Sequence, residues 1–325
     1  MDALELVRLN LLSPMVLAFA LGILATLVRS DLRVPDALYT GLSIYLLFAI
    51  GLKGGVALST TPPGEVWLPA LATLFAGGAT ALTSYAAARA LGRWGVADAA
   101  ALAAPYGSVS VVTFVAAQAF LDRAAVPYEG FMPALVALLE VPAILVALVL
   151  AQRARTTAGG GLAETVREVL TGRSIVLLAG GLAIGLATGV EGAERVAPFF
   201  VAPFEGALTL FLLEMGLVTA RRLGELRRGG VFLIAFGLGA PVVHGLLGAV
   251  LGSAAGLSVG GTTIFATMLA SASYIAATAA VRLALPEANP GRYLTASLAV
   301  TFPFNLVVGI PLYARVAQAL AGGGA

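Results

Sequence analysis

Apolar residues fill long stretches of this chain, and charged residues are confined to the short segments between them. Between Arg228 and Arg282 there are 53 consecutive residues without Asp, Glu, Lys or Arg, and three more uncharged stretches run for 22 or 23 residues. A helix that crosses the hydrocarbon core of a bilayer needs about 20 apolar residues. Turn signals divide the apolar stretches into ten predicted membrane-spanning helices, at approximately 12–29, 37–58, 65–91, 97–120, 131–151, 174–190, 204–222, 231–254, 259–283 and 292–318.

The second half of the chain repeats the first. The segment SPMVLAFALGILATLV at 13–28 returns as RSIVLLAGGLAIGLATG at 173–189, and YTGLSIYLLFAIGLKGGVAL at 39–58 returns as FEGALTLFLLEMGLVTARRL at 204–223. An odd number of spans per copy makes the copies face opposite ways, and inverted repeats of this kind build secondary transporters. The pattern therefore predicts an all-α membrane protein of ten transmembrane helices. Its units are a first five-helix repeat at 1–151, a cytoplasmic linker at 152–173 and a second five-helix repeat at 174–325.

Composition agrees with a membrane protein and excludes several other classes. Hydrophobic residues make up 59% of the chain and charged residues 11%. The net charge of +2 comes from basic residues scattered through loops, which is not a nucleic-acid-binding pattern. Because the chain has no cysteine, it can form neither a disulfide nor a thiolate zinc site.

The distribution of basic residues predicts the orientation. Of the 19 Lys and Arg residues, fourteen follow odd-numbered spans and five lie on the other side. An excess of Lys and Arg marks the cytoplasmic loops, so both termini are expected outside the cell.

A proline and a glycine interrupt span four, in the sequence PYGSVS at 105–110. A helix broken here would present a new N-terminus beside hydroxyl groups, and small anions bind at such ends. The predicted substrate-binding residues in this copy are Gly107, Ser108, Ser110 and Thr113. The alternative is that these hydroxyls bond their own backbone and that the Pro-Gly pair makes only a kink.

Span nine repeats the Ser-x-Ser spacing at Ser271 and Ser273, which we add to the predicted substrate-binding residues. No proline or glycine lies between Gly261 and Pro286, so a break in span nine is expected from symmetry alone. Two helix N-termini meeting near the centre would each offer about half a positive charge to an anion.

Glu140 lies in the middle of span five, just before Pro142. A carboxylate at mid-bilayer costs about 2.5 to 3.5 kcal/mol, and residues of that cost usually have a function. We interpret Glu140 as a ligand for a cation, most simply sodium. Its counterpart in the second copy is Thr301, and Asn305 follows nearby, so these three residues form the predicted ion-binding set. The alternative is a protonated or hydrogen-bonded helix contact.

Seven short segments carry a resemblance to a known family. The chain resembles the SbtA family of sodium-dependent bicarbonate transporters over nearly its whole length. The matching segments are IGLKGG at 50–55, APYGSVS at 104–110, EVPA at 140–143, GELR at 224–227, APVVHG at 240–245, ANP at 288–290 and GIPL at 309–312.

This resemblance implies a fold, a mechanism and partners. The two repeats would interleave into a core and a gate domain in the inner membrane of a bacterium, with discontinuous fourth and ninth helices crossing at a midplane site. Bicarbonate uptake coupled to sodium would proceed by an elevator movement of the core within a homotrimer. No cofactor other than sodium is implied. A PII-like regulatory protein is a further implied partner, although the linker lacks the long insertion of better-known relatives.

Three alternatives remain open. The chain departs from the family pattern at Val111, Val112 and Tyr274, which makes the site more apolar and leaves room for another anion. A proton- or sodium-coupled exchanger would have the same fold, and a non-transporting membrane receptor would keep only the scaffold. An intramembrane enzyme using Ser110 or Ser271 with His244 is disfavoured, since neither serine lies in a Gly-x-Ser-x-Gly turn.

Overall fold

A computed structural model describes residues 11–154, 167, 171–274, 277, 281, 285 and 287–322. The regular structure of these residues is helical. The predicted linker at 152–173 lies largely outside the described residues. The helices are α1 (Pro14–Leu27), α2 (Asp36–Thr60), α3 (Pro63–Ala90), α4 (Val96–Gly107), α5 (Val111–Arg123), α6 (Met132–Ala154), α7 (Arg173–Phe200), α8 (Phe204–Ala254), α9 (Val259–Ala270) and α10 (Pro290–Gly322).

Six helical stretches of the described chain are long and apolar enough to cross a membrane, which supports the predicted all-α membrane protein. They are Asp36–Thr60, Pro63–Ala90, Val96–Arg123, Ile175–Phe200, Gly230–Ala254 and Pro290–Gly322. Helices α1 and α9 are apolar but shorter. The predicted spans seven and eight are joined in α8, which bends at Gly230, where φ is 76° and only glycine is comfortable.

Two helix pairs pack through glycines that bring their backbones into contact. Helix α1 lies along the first half of α8, and α2 lies along α7. At Gly216 of α8, a Cβ atom would lie 2.1 Å from the Phe19 carbonyl oxygen, and at Gly51 of α2 it would lie 2.4 Å from the Leu178 carbonyl oxygen. Small residues allow such close approach, and van der Waals packing drives helix association in lipid. These four elements therefore form two tight glycine-mediated crossings.

The remaining helices pack around α4 and α9, two short helices of 12 residues each. Helix α4 packs on α3 and α6, while α9 packs on the second half of α8 and on α10. Every residue from Ala99 to Ala104 is at most 1% exposed, and α9 is buried along its length. Many of the buried polar side chains in this interior bond backbone carbonyl groups of their own helix, as Thr80 and Thr267 do, and others bond one another, as Tyr106 and Thr301 do.

Carboxylates cap two of the inner helices from the other half of the chain. Glu129, in the loop before α6, accepts hydrogen bonds from the backbone N–H of Ser258 at 2.6 Å and from its hydroxyl at 3.2 Å. Asp98, in the first turn of α4, accepts from the Asn289 N–H at 2.8 Å and pairs with Arg292. Negative charge at a helix N-terminus is favourable, so each cap also fastens one half of the chain to the other.

Helix α10 departs from regular α geometry twice. It winds as a π-helix over Thr295–Thr301 and again over Asn305–Gly309, on either side of Pro303. Such wide turns often occur at functional positions. They place Thr301 and Asn305 in the buried interior, where both are fully buried.

Replacing Gly216 by alanine tests the glycine crossing of α1 and α8. The added methyl group would meet the Phe19 carbonyl oxygen and force the helices apart, so we expect a loss of about 1–3 kcal/mol in stability. Gly206→Ala is the matched control, since it lies in the same helix with no atom within 4 Å of the added carbon. Thermal unfolding of the detergent-solubilised protein measures both. Equal midpoints for the two variants would contradict the packing described here.

Candidate functional site

Span four is broken, as the sequence predicts. Helix α4 ends at Gly107 and α5 begins at Val111, and between them Ser108 and Ser110 have extended backbones. Pro105 lacks a backbone N–H and so removes one helical hydrogen bond from the last turns of α4. The Ser110 hydroxyl then accepts the Thr113 N–H at 3.2 Å and caps the N-terminus of α5.

Span nine is also interrupted, at the position expected from the repeat. Helix α9 ends at Ala270, and Ser271 has an extended backbone with φ −83° and ψ 168°. No proline or glycine causes this ending. Instead, the Asn305 side-chain amide donates to the Ala270 carbonyl oxygen at 2.8 Å, which satisfies an acceptor at the end of the helix.

The two breaks are hydrogen-bonded to each other. The Ser110 N–H donates to the Ser271 hydroxyl oxygen at 2.8 Å, and the Ser273 N–H donates to the Pro105 carbonyl oxygen at 2.9 Å. The Ser271 hydroxyl also donates to the Met268 carbonyl oxygen at 2.8 Å. With its proton and an acceptor lone pair both engaged, Ser271 joins the breaks and has no proton left for a ligand.

A cavity of about 430 Å³, including its open mouth, lies beside the crossed breaks. Three of the predicted site residues line it, namely Ser110, Ser273 and Glu140. The other lining residues are Ser43, Leu46, Leu47, Val109, Val111, Val112, Phe211 and Tyr274.

Hydrogen-bond donors face the cavity from the breaks. The Ser273 hydroxyl accepts from the Ala277 N–H at 3.2 Å, and its own proton has no acceptor within the described part of the chain. The Ser110 hydroxyl accepts from the Thr113 N–H and is also hydrogen-bonded to the Tyr274 side chain. Within the described part of the chain, the N–H groups of Val111 and Val112 have no acceptor, as expected for the first turn of a helix. The Ser273 hydroxyl proton and two backbone N–H groups are therefore available to an anion.

Glu140 adds a carboxyl group to the same cavity. It is 2% exposed, and the Ser108 hydroxyl donates to its Oε2 at 2.9 Å. Its Oε1 has no hydrogen-bond partner among the described residues. Ser108 therefore orients Glu140 with its only proton, while one carboxyl oxygen is left for a cation or a proton.

Thr301 and Asn305 do not line the cavity with Glu140. The Thr301 hydroxyl donates to the Gly237 carbonyl oxygen at 2.7 Å, and the Tyr106 hydroxyl, at 2.6 Å, must then donate to Thr301. Asn305 is engaged with Ala270, and its Oδ1 lies 3.0 Å from the Tyr313 hydroxyl. In this structure Thr301 links α10 to α8 and to the last turn of α4, and Asn305 links α10 to the end of α9. An ion site that they share with Glu140 stays a prediction.

Two further predicted residues support the break without lining the cavity. Gly107 is buried, and its carbonyl oxygen would lie 3.3 Å from a Cβ at Gly77, so α3 packs closely against the break. Thr113 lies in the first turn of α5, and its Oγ1 is buried without a partner in the described chain. His244 does not line the cavity, and its Nε2 lies 3.0 Å from the Thr83 hydroxyl.

Sequence reasoning missed the apolar side of the cavity, formed by Leu46 and Leu47 of α2 and Phe211 of α8. Ser43, Leu46 and Leu47 have the i, i+3, i+4 spacing of one helix face. Phe211 is the counterpart of Leu46 in the second repeat, since 39–58 aligns with 204–223. The spacing and the repeat together could have identified this face.

A family model described as the Na⁺-dependent bicarbonate transporter superfamily matches residues 14–318. No curated protein matches the chain.

Ser271→Ala tests the bond between the two breaks. It leaves the buried N–H of Ser110 without an acceptor, so we expect a loss of about 1–3 kcal/mol in stability. Ser59→Ala is the control, because that hydroxyl is exposed and bonds only the Val56 carbonyl of its own helix. Thermal unfolding compares the two, and amide exchange at Ser110 should accelerate only in Ser271→Ala. A Ser271→Ala protein as stable as the control would refute the joining role.

Proposed function

The chain belongs to the Na⁺-dependent bicarbonate transporter superfamily, and from that premise we propose that it takes up a small monoanion, bicarbonate first, together with sodium. It is a membrane-embedded transporter and not an enzyme. The observation that carries the proposal is the cavity in which free hydrogen-bond donors of the broken helices lie beside a buried carboxyl group.

The broken helices supply the anion half of the site. The Ser273 hydroxyl and the N–H groups of Val111 and Val112 provide donors, and the N-terminus of α5, which Ser110 caps, adds about half a positive charge. Among the described residues, no Lys or Arg lines the cavity. An anion held by neutral donors can also leave, which transport requires.

Glu140 supplies the sodium half. An anion about 4 Å from an ionised Glu140 would be repelled by roughly 4 kcal/mol at an effective dielectric constant of about 20. A sodium ion bound at the free carboxyl oxygen removes this repulsion. It also offsets the cost of about 2.3 kcal/mol for moving one negative charge against a potential of 100 mV. Anion and sodium then bind more strongly together than apart.

Two contacts support inverted repeats related by a two-fold axis. Ser110 bonds Ser271, and Thr83 contacts His244, and in both pairs the residues are 161 apart. The offset between the repeats is about 161 to 165 residues along the chain, so both pairs fall within it. A residue can touch its own counterpart only near such an axis. The α1–α8 and α2–α7 crossings are likewise counterparts. We therefore retain ten spans in two inverted five-helix repeats.

The position of the cavity supports the proposal of an elevator movement. Leu46, Leu47 and Phe211 belong to the helices of the glycine crossings, which would form the gate. Ser110, Ser273 and Glu140 belong to the inner helices, which would form the moving core. Sliding the core past the gate would carry the site from one side of the membrane to the other.

The assembly and orientation remain proposals from the sequence. We propose both termini outside the bacterial inner membrane and a homotrimer. Regulation by a PII-like protein would involve the linker at 152–173, which lies mostly outside the described residues.

Uptake of labelled bicarbonate into proteoliposomes tests the function. At alkaline pH, where little CO₂ can cross the lipid, an inward sodium gradient should stimulate uptake. Ser273→Ala and Glu140→Gln should each reduce it about tenfold or more, because each removes a group that binds a charged species. Glu65→Gln, at an exposed position near the start of α3, is the control and should match the unaltered protein.

Other outcomes separate the alternatives. No sodium stimulation for any small anion would contradict the proposal. Uptake driven by an inward proton gradient without sodium, and lost in Glu140→Gln, would favour a proton-coupled transporter. This second candidate draws on one observation, that Ser108 is the only hydrogen-bond partner of Glu140 in the described chain.

A further inference from the structure

The cavity is lined mainly by apolar groups, and its few free polar groups lie on one side. All of its free donors lie on the broken helices, together with Glu140. The opposite side consists of Leu46 and Leu47 of α2 and Phe211 of α8, which are 4%, 7% and 1% exposed. Ser43 lies on that side too, but its hydroxyl donates to the Tyr39 carbonyl oxygen at 2.9 Å. The apolar side therefore offers no free donor.

This division determines which groups of a bound anion find hydrogen-bond donors and which groups face apolar side chains. A carboxylate uses two oxygens, which the donors near Ser110 and Ser273 can satisfy. Bicarbonate carries a third oxygen, a hydroxyl group, that would point at the leucines and the phenylalanine. A polar group left without a partner weakens binding by roughly fivefold to a hundredfold. A carbon substituent in the same place gains about fourfold per methylene buried.

We propose that the cavity selects a small monocarboxylate with a short apolar substituent, in preference to bicarbonate, with the substituent packed against Leu46, Leu47 and Phe211. This inference rests on the proposed sodium-coupled uptake of a small monoanion at the same site, and it replaces bicarbonate by a monocarboxylate as the preferred cargo. Sodium at Glu140 would neutralise the carboxylate as it would bicarbonate. The specificity comes from the apolar side, which none of the coupling chemistry uses.

Calorimetric titration of the purified protein tests the selection. The ligands are bicarbonate, formate, acetate and propionate, each as its sodium salt and, for comparison, as its potassium salt. With sodium present, affinity should rise about fourfold from formate to acetate and again to propionate. Bicarbonate should bind more weakly than acetate. A flat series, or bicarbonate as the tightest ligand, would overturn the inference.

A matched pair of variants assigns the effect to the apolar side. Leu47→Ala and Leu47→Ser leave side chains of similar size but different polarity. The serine variant should flatten the series and bring bicarbonate closer to acetate, while the alanine variant should keep the rise. Ile44→Ser places the same hydroxyl on the same helix at an exposed position and should leave the series unchanged. A serine variant that keeps the full rise would overturn the role of Leu47.

The two proposals fail in different ways. Tight, sodium-dependent binding of bicarbonate with no gain from added carbons would defeat the carboxylate inference and leave sodium-coupled anion uptake intact. Binding of every anion that is equal in sodium and potassium would defeat the sodium coupling itself. The series in the unaltered protein decides the inference even if the Leu47 variants do not fold.

Discussion

The structure depends on the bonds that the two broken helices make with each other. Breaking a helix inside a membrane frees backbone groups that no water can satisfy, at a cost of several kcal/mol for each unpaired group. Here the Ser110 N–H is taken by Ser271, and the Pro105 carbonyl oxygen is taken by Ser273. The backbone groups freed at one break are thus hydrogen-bonded by residues of the other break. The N–H groups of Val111 and Val112 remain, and these are the ones that face the cavity.

How much of this could be predicted depends on where the cause of each feature lies. The break in span four has a local cause, because Pro105 and Gly107 stand in the sequence. The break in span nine does not, since its partners Asn305 and Ser110 are 35 and 161 residues from the groups they bind. Symmetry between the repeats located it, but only tertiary contacts explain why the helix stops at Ala270.

The candidate site shows the same limit. Ser110, Ser273 and Glu140 stand out because polar residues are rare in apolar spans, and all three line the cavity. The same signal marks Ser271 and Asn305, yet their side chains are spent on holding the breaks. The rarity of polar residues in apolar spans therefore identifies buried polar groups, but it does not distinguish a residue that binds a ligand from one that holds the structure together. Leucine and phenylalanine are common in membrane helices, so the apolar side stands out in the sequence only when the helical spacing of Ser43, Leu46 and Leu47 is combined with the repeat.

The unequal sides of the cavity also bear on movement. Hydrogen bonds are directional, so a site with donors on both a moving core and a fixed gate would have to break them as the core slides. Here the donors and Glu140 lie on the helices that we propose as the moving core. The helices that we propose as the gate would meet the cargo only through apolar contact, which has no preferred direction. A cargo bound in this way keeps all its polar bonds during the proposed elevator movement. The apolar side is then both the source of selectivity and the surface that lets the core pass.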